Sequence, residues 1–373
     1  MKIILTGGGT GGHVTPAVAI GEEIRSAVPN TEILFIGRRG GKENETVTSA
    51  GIRVETVEIQ GLKRSMSLTN FKSLYLALKA YRSAKKIIRA YSPDIIVGTG
   101  GYVTWPVVRA GQTMGIPTVI HESNVTPGLV TRLLAKGCDK VLLNHADTAK
   151  ALPHANTTVS GNPIRTDFGR ITREKARSML GASPSDTVIV SFGGSGGSDR
   201  MNDIITEVMR DYTSKRDNII HIHATGRSYY EKYSGRITKP GTRSRIVPFI
   251  NNMPELLCAA DVAITRCGAL TLSELSSVGV ASILIPSPNV TDDHQRKNGE
   301  LLAAGGGAVL INESELTSAR LKDEIQRLMR DGSLRARMAK CIEKFANQDA
   351  RRICCEEIVG VVKSASSKRS GRR

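Results

Sequence analysis

Two doubly wound α/β domains are the architecture this sequence predicts, on three observations. Short apolar runs alternate with helical patterns along nearly the whole chain, the pattern of parallel sheets covered on both faces. The runs fall into two series of about six each, separated by a turn signal at Gly161-Asn162-Pro163. Each series opens with a strand that breaks into a glycine-rich loop, Gly7–Gly12 in the first and Gly193–Ser198 in the second. A strand, a tight glycine turn and a helix bring backbone N–H groups and a helix N-terminus to the carboxyl end of the strand, where an anion can sit.

The first series places strands at 2–6, 32–36, 53–58, 95–98, 117–120 and 140–143, with helices near 17–27, 71–91 and 127–136. The second places strands at 187–192, 219–223, 245–248, 262–265, 282–285 and 308–311, with helices near 201–215 and 271–278. The domains expected are 1–163 and 164–345, then a helix over 346–363 with Ile353, Ile358, Val361 and Val362 on one side. Residues 364–373, rich in Ser, Lys and Arg, read as a disordered basic tail.

Charge narrows the partners. With 52 Lys and Arg against 35 Asp and Glu in 373 residues, the formal net charge is +17, which favours an anionic partner. Aromatic residues are only 4%, with no stacking platform in a strand, so nucleic acid is disfavoured against a phosphorylated small molecule or a lipid surface. The six cysteines show neither a CxxC pair nor metal-ligand spacing and read as reduced thiols. The chain starts directly on a strand, so no signal peptide is expected. No apolar run approaches the roughly 20 residues of a spanning helix, so any membrane contact is expected to be peripheral.

The glycine motifs are ambiguous one by one. Gly7, Gly9 and Gly12 satisfy GxGxxG, but the second strand ends in Gly37-Arg38-Arg39 instead of the acid that grips a dinucleotide ribose. The arginines leave an NADP oxidoreductase open, while GxxxxGK[ST] is missing from both loops. His13, at a helix start, can accept a proton, and the helix dipole favours its neutral form. A third glycine loop, Gly98–Tyr102, follows the fourth strand. His121-Glu122-Ser123-Asn124 ends the fifth strand; His121 and Glu122 suit a functional or a hydrogen-bonded structural role equally, and the Asn124 amide suits a sugar hydroxyl. In the second series Gly268–Thr271 can offer amides to a diphosphate, and Glu274 can grip ribose hydroxyls. The competing reading is a capping box, with Thr271 as N-cap and Glu274 at N3. The polar run Asp292–Asn298 suits a sugar with several hydroxyls. Along 71–91, Phe71, Leu74, Leu76, Leu78 and Tyr81 interleave with Lys72, Lys79, Arg82, Lys85, Lys86 and Arg89. That pattern reads either as a core helix with a solvated basic face or as a surface for anionic headgroups.

In combination and order, GGTGGHVTP (8–16), GTGGY (98–102), HESN (121–124), GNPIR (161–165), GGSGGS (193–198), CGALTLSE (267–274) and DDHQRKN (292–298) resemble the MurG family of bacterial N-acetylglucosaminyltransferases over nearly the whole chain. The resemblance implies the GT-B glycosyltransferase fold, two Rossmann-like domains facing across a cleft with the last helix crossing back to the first. It implies inverting transfer of N-acetylglucosamine from UDP-N-acetylglucosamine to the 4-hydroxyl of N-acetylmuramic acid in lipid I, giving lipid II. The donor set carried over is Thr10, Gly11, Gly12, Asn124, Arg165, Ser195, Phe249, Ile250, Ala269, Leu270, Thr271, Leu272, Ser273, Glu274, His294 and Gln295. Within it, Phe249 and Ile250 would meet uracil, Glu274 the ribose, Ser195 and the 269–271 amides the diphosphate, and His294, Gln295 and Asn124 the sugar. Gly9, Gly12, Gly100, Gly101 and Tyr102 carry over as acceptor residues, His13 as the base and Glu122 as the reserve base. The adjacent Asp292 and Asp293 lack metal-pair spacing, so no metal or other cofactor is required by the motifs and a divalent cation has no evident site. The implied location is peripheral, on the cytoplasmic face of the inner membrane, with an anionic membrane surface and other cell-wall synthesis and division proteins as partners. One departure stands out: Gly196 occupies the position where the family usually carries Gln. The alternatives are a transferase acting on another lipid such as diacylglycerol and a non-catalytic nucleotide-sugar-binding subunit.

Overall fold

The computed structural model describes residues 1–9, 11–41, 43–61, 69–168, 170–237 and 241–370. These divide into two compact units, Met1–Arg165 with Asn347–Arg373, and Thr166–Ala346.

The first unit is built on strands β1 (Lys2–Thr6), β2 (Glu32–Arg38), β3 (Arg53–Val57), β4 (Ile95–Gly98), β5 (Thr118–Glu122), β6 (Lys140–Leu143) and β7 (Thr157–Val159). They form one parallel sheet in the order β3-β2-β1-β4-β5-β6-β7. Its helices are α1 (Gly11–Ala27), α2 (Glu43–Ser49), α3 (Thr69–Tyr91), α4 (Thr104–Thr113) and α5 (Leu129–Leu134). The central strands are buried at nearly every position because both faces are covered. One face packs against Ala80, Ala84 and Ile88 of α3 and Val107 and Val108 of α4. The other packs against Val14, Ile20 and Ile24 of α1.

The second unit carries β8 (Thr187–Phe192), β9 (Ile219–Ala224), β10 (Arg245–Val247), β11 (Val262–Thr265), β12 (Ala281–Leu284) and β13 (Ala308–Leu310). This parallel sheet runs β10-β9-β8-β11-β12-β13. Its helices are α6 (Arg173–Leu180), α7 (Asp199–Asp211), α8 (Tyr230–Tyr233), α9 (Met253–Ala259), α10 (Ala269–Val278), α11 (His294–Ala304), α12 (Ser318–Arg330) and α13 (Gly332–Glu343). Leucines of α9 and α10 cover one face, and α7 and α12 the other.

The chain then returns to the first unit as α14 (Ala350–Ser370). Cys354 and Ile358 are buried in the same cluster as Ile3, Leu5 and α1. Arg351 bridges Glu22 and Glu23 of α1 at 3.3 and 3.1 Å, and Glu357 meets Lys140 at 3.1 Å. Burying Ile358 alone contributes about 1.5–3 kcal/mol, which ties the C-terminal helix to the N-terminal sheet.

Four sequence expectations change. Strand β7 was not anticipated: three residues at a sheet edge give too short a pattern to read. Helix α1 begins at Gly11, six residues before the apolar periodicity starts, so His13 lies inside its first turn. Pro16 within it lacks an N–H and forfeits one ladder bond without stopping the helix. The segment 364–370, expected to be disordered, continues α14. A packed helix propagates one bond per residue, and Ser366 and Ser367 bond back to the Val362 and Lys363 carbonyls at 3.0 and 3.1 Å. On α3 the buried stripe is Leu76, Ala80, Ala84 and Ile88, which leaves Leu74 and Leu78 58% and 49% exposed instead of in the core.

Candidate active site

In both sheets the crossovers change direction between two central strands, β1 and β4 in the first unit, β8 and β11 in the second. Loops diverge at such a switch point and open a crevice at the carboxyl ends of the strands. Four of the sequence motifs lie at these two places: Gly7–His13 after β1, Thr99–Tyr102 after β4, Gly193–Ser198 after β8 and Arg266–Glu274 after β11.

In the first unit the two loops are interlocked. The Gly8 amide donates to the Gly100 carbonyl at 3.3 Å. Gly100 and Gly101 have φ of +105° and +81°, conformations that favour glycine. A Cβ on Gly101 would stand 1.9 Å from the Gly8 carbonyl oxygen, and one on Gly100 would stand 2.7 Å from Cδ2 of His13. The imidazole therefore lies on a floor of bare backbone. Thr99 Oγ1 donates to the His13 carbonyl at 2.6 Å, and Thr104 Oγ1 to the Gly100 carbonyl at 2.8 Å. His13 Nδ1 is 3.2 Å from the Gly8 carbonyl. A carbonyl only accepts, so Nδ1 carries the proton and the basic lone pair of the neutral ring is on Nε2. The Tyr102 ring lies against Gly9 and Gly61, where added Cβ atoms would come within 3.0 and 3.2 Å of it. Gly11 and Gly12 open α1, while Thr10 lies outside the described residues.

At the end of β5, Glu122 is 6% exposed and surrounded by donors. Its Oε1 accepts from the backbone and side-chain nitrogens of Asn124, both at 3.1 Å. Its Oε2 accepts from the Gly128 amide at 3.0 Å and from Thr131 Oγ1 at 2.6 Å. Four hydrogen bonds hold this carboxylate, so its geometry is that of a clamp for Asn124 and the start of α5 rather than of a proton acceptor. His121 is fully buried, and burial pushes its pKa down. Its Nε2 donates to the Gly161 carbonyl at 2.9 Å, a structural tie. Arg165 is exposed at the last residue of the first unit's leading segment.

In the second unit α10 has Gly268 at its N-cap, with no side-chain cap hydrogen bond, so the amides of Ala269, Leu270 and Thr271 make up the first turn at the positive end of the helix. The capping-box alternative fails: Thr271 is the third helical residue, and Glu274 is the sixth, beyond the N3 position. Leu272 is buried, and Ser273 Oγ bonds back to the Ala269 carbonyl at 3.1 Å. Across the switch point Ser195 is exposed. Gly196 has open space where a side chain would begin, with no atom within 4 Å of an added Cβ. Arg266, 8% exposed, braces the two loops. It donates to Ser198 Oγ at 2.6 Å and to the Ile285 and Pro286 carbonyls at 3.3 and 3.0 Å, and it pairs with Glu313. Sequence reasoning missed Arg266; its position at the carboxyl end of a strand was the available signal, as it was for Thr99.

Further along the same edge, Phe249 is 40% exposed with the Arg227 guanidinium 5.4 Å from its ring, and Ile250 behind it is buried. His294 Nδ1 donates to the Thr291 carbonyl at 2.7 Å, and Gln295 Oε1 accepts from the Ser287 amide at 2.9 Å. Asp292 and Asp293 both have φ of +52°, so this turn into α11 is held in a strained left-handed form. Beside it a cavity of about 550 Å³ is lined by Ser287, Asp293, Arg296, Arg200 and Glu313.

Two parallel α/β sheets, each with glycine-rich loops and a helix N-terminus at its switch point, have the architecture of a GT-B glycosyltransferase. Residues 3–143 match the glycosyltransferase family 28 N-terminal domain and residues 188–353 the glycosyltransferase family 28 C-terminal domain. The UDP-N-acetylglucosamine--N-acetylmuramyl-(pentapeptide) pyrophosphoryl-undecaprenol N-acetylglucosamine transferase of Limosilactobacillus fermentum is 37% identical over 98% of both chains. The protein of the same name from Caldanaerobacter subterraneus subsp. tengcongensis is 39% identical over 94% of this chain and 97% of its own. The crystal structure of Acinetobacter baumannii MurG superposes with a TM-score of 0.76 at 25% identity, covering 96% of this chain and 99% of that one. The chain belongs to the MurG family within glycosyltransferase family 28.

The interlock can be measured by comparing two alanine substitutions at positive-φ glycines. Gly115 has φ of +68° and no atom within 4 Å of an added Cβ, whereas Gly101 adds a clash with the Gly8 carbonyl. Gly115→Ala is expected to cost about 1 kcal/mol from backbone strain and Gly101→Ala about 1–3 kcal/mol more from overpacking, read by urea unfolding. Equal losses would mean that the loops are not interlocked.

Proposed function

We propose that this protein transfers N-acetylglucosamine, with inversion, from UDP-N-acetylglucosamine to the 4-hydroxyl of the N-acetylmuramic acid in lipid I, producing lipid II for peptidoglycan. The observation that carries the reading is His13, whose Nδ1–H is engaged by the Gly8 carbonyl so that Nε2 is the basic nitrogen. In the proposed step Nε2 takes the acceptor hydroxyl proton as the oxygen attacks the anomeric carbon. The bond from that carbon to the β-phosphate oxygen breaks, and UDP leaves with the electron pair.

The first unit holds the acceptor through Gly9, Gly12, Gly100, Gly101 and Tyr102, and the second holds the donor. Phe249 and Ile250 meet the uracil, Glu274 the ribose hydroxyls, and Ser195 with the amides of Ala269, Leu270 and Thr271 the diphosphate. Aligned amides stabilise the charge that develops on the leaving group, and this scheme assigns no role to a cofactor. His294 and Gln295 orient the sugar, and in the first unit Glu122 is the positioning residue behind Asn124.

The deciding experiment is turnover of UDP-N-acetylglucosamine with a lipid I analogue, run against UDP-glucose, UDP-N-acetylgalactosamine and a diacylglycerol acceptor. Only the first pair should support rapid transfer; UDP-sugar binding with no transfer would favour a non-catalytic subunit. His13→Ala is expected to lower kcat by about 10²–10⁴-fold while UDP affinity stays at the wild-type value. Near wild-type turnover in that variant would remove His13 as the base.

The reading also places the protein at the cytoplasmic face of the inner membrane. No helix among the described residues is long and apolar enough to cross a membrane. On α3, Leu74, Tyr75 and Leu78 are exposed beside Lys79, Arg82 and Lys86. An exposed apolar stripe flanked by cations suits an anionic lipid surface. Co-sedimentation with anionic vesicles is expected to weaken with salt and in the Lys85→Glu/Lys86→Glu variant. Binding indifferent to both would contradict this placement.

A further inference from the structure

The side of the second sheet facing α7 should be apolar, and its lower part is: Ile189, Ile219, Ile204 and Ile205 pack there. Toward the carboxyl ends of the strands it instead holds a row of polar groups with no solvent exposure: Ser191 on β8, His221 and His223 on β9, Asn202 on α7, and Thr213 beyond it. Such a row is costly unless every member is satisfied, and this one forms a chain. Thr213 Oγ1 is 3.1 Å from His221 Nδ1, His221 Nε2 is 2.8 Å from Ser191 Oγ, and Ser191 Oγ is 2.9 Å from His223 Nδ1. His223 Nε2 is 3.1 Å from Asn202 Oδ1, and Asn202 Nδ2 is 2.9 Å from the Thr225 carbonyl.

The last link sets the direction of all the others. The Thr225 carbonyl only accepts, so the Asn202 NH₂ faces it and Asn202 Oδ1 faces His223. His223 Nε2 must therefore carry a proton, and Nδ1 of the neutral ring accepts from Ser191 O–H. Ser191 Oγ in turn accepts from His221 Nε2–H, and Thr213 donates to His221 Nδ1. Burial keeps both rings neutral, with the His223 pKa pushed down to about 4 and that of His221 to about 3. The Ser191 carbonyl, 3.2 Å from His223 Nδ1, favours the charged ring and is outweighed by burial.

The chain ends at the glycine loop. A Cβ on Gly197, whose φ is +74°, would stand 2.0 Å from the Thr225 carbonyl oxygen; one on Gly226 would stand 2.8 Å from the Gly196 carbonyl oxygen and the Gly197 nitrogen. The carbonyl that Asn202 holds is thus the floor beneath the Gly193–Ser198 loop. The amide of Asn202 also closes the first turn of α7 on the Ser198 carbonyl at 2.8 Å. We propose that the buried chain Thr213–His221–Ser191–His223–Asn202–Thr225 is a positioning device that fixes the Gly193–Ser198 loop for the diphosphate of the donor. This rests on the reading of the second unit as the donor site. Neither histidine touches substrate in this account; each acts through the next link.

The test measures UDP and uridine affinities by calorimetry on the full chain, together with KM and kcat for UDP-N-acetylglucosamine. Asn202→Asp keeps size and the acceptor for His223 but places an oxygen against the Thr225 carbonyl. His223→Leu removes the donor to Asn202, and His223→Gln puts an amide N–H near the position of Nε2. Asn202→Asp and His223→Leu are expected to weaken UDP binding about tenfold and to raise KM more than they lower kcat, with uridine affinity unchanged. His223→Gln is expected to stay within about threefold of wild type. A purely structural role predicts a lower Tm with an unaltered ratio of UDP to uridine affinity, and that result in Asn202→Asp would overturn the proposal even if His223→Leu failed to fold. A His223→Gln variant as impaired as His223→Leu would overturn it too. Failure of the wild-type chain to bind UDP would instead overturn the donor reading, and this inference with it.

Discussion

The Gly8 carbonyl is the atom on which the first unit's chemistry depends. It accepts from the His13 ring and lies where a Gly101 side chain would begin. The demand for glycine at this turn, the orientation of the imidazole and the choice of basic nitrogen all follow from that placement. Thr99 and Thr104 fix the backbone on either side, through the His13 and Gly100 carbonyls.

The second unit solves the same topological problem with different groups. Its switch point also joins two loops, but the brace is the Arg266 guanidinium, spread over Ser198, Glu313 and two carbonyls. Breaking a pair as enclosed as Arg266–Glu313 would leave an uncompensated charge, which makes this corner stiff. Beside this corner lie the half-buried first turn of α10 and the exposed Ser195, groups that suit a negatively charged ligand. Of two similar sheets, one ends in an imidazole on glycine backbone and the other in a helix N-terminus beside an arginine-braced loop, and the difference lies in a few loop residues.

Much of this was legible in the sequence, because both sheets are buried on both faces and their strands appear as continuous apolar runs. The edge strand Thr157–Val159 was not legible, since three partly polar residues carry no period. Helix starts were misjudged where hydrogen bonding rather than hydrophobicity decides: α1 takes in two glycines and His13, and α10 begins before Thr271 and so excludes a capping box. At Glu122 the sequence offered a base or a structural acid. Four donors, two from Asn124 and one each from Gly128 and Thr131, favour the structural role, and no sequence pattern reports the last two. The Gln position that Gly196 leaves bare is likewise seen only in space to be open.

The central claim is that the fold assigns the proton of neutral His13 to Nδ1 and leaves Nε2 as the base. Nitrogen-15 NMR of the imidazoles in the full chain, above the pKa of the His13 ring and assigned by comparison with His13→Ala, reports the tautomer directly. The account predicts a pyrrole-type Nδ1 and a pyridine-type Nε2 for His13. A ring protonated on Nε2 would contradict it, because the nitrogen assigned to take the acceptor proton would already carry one.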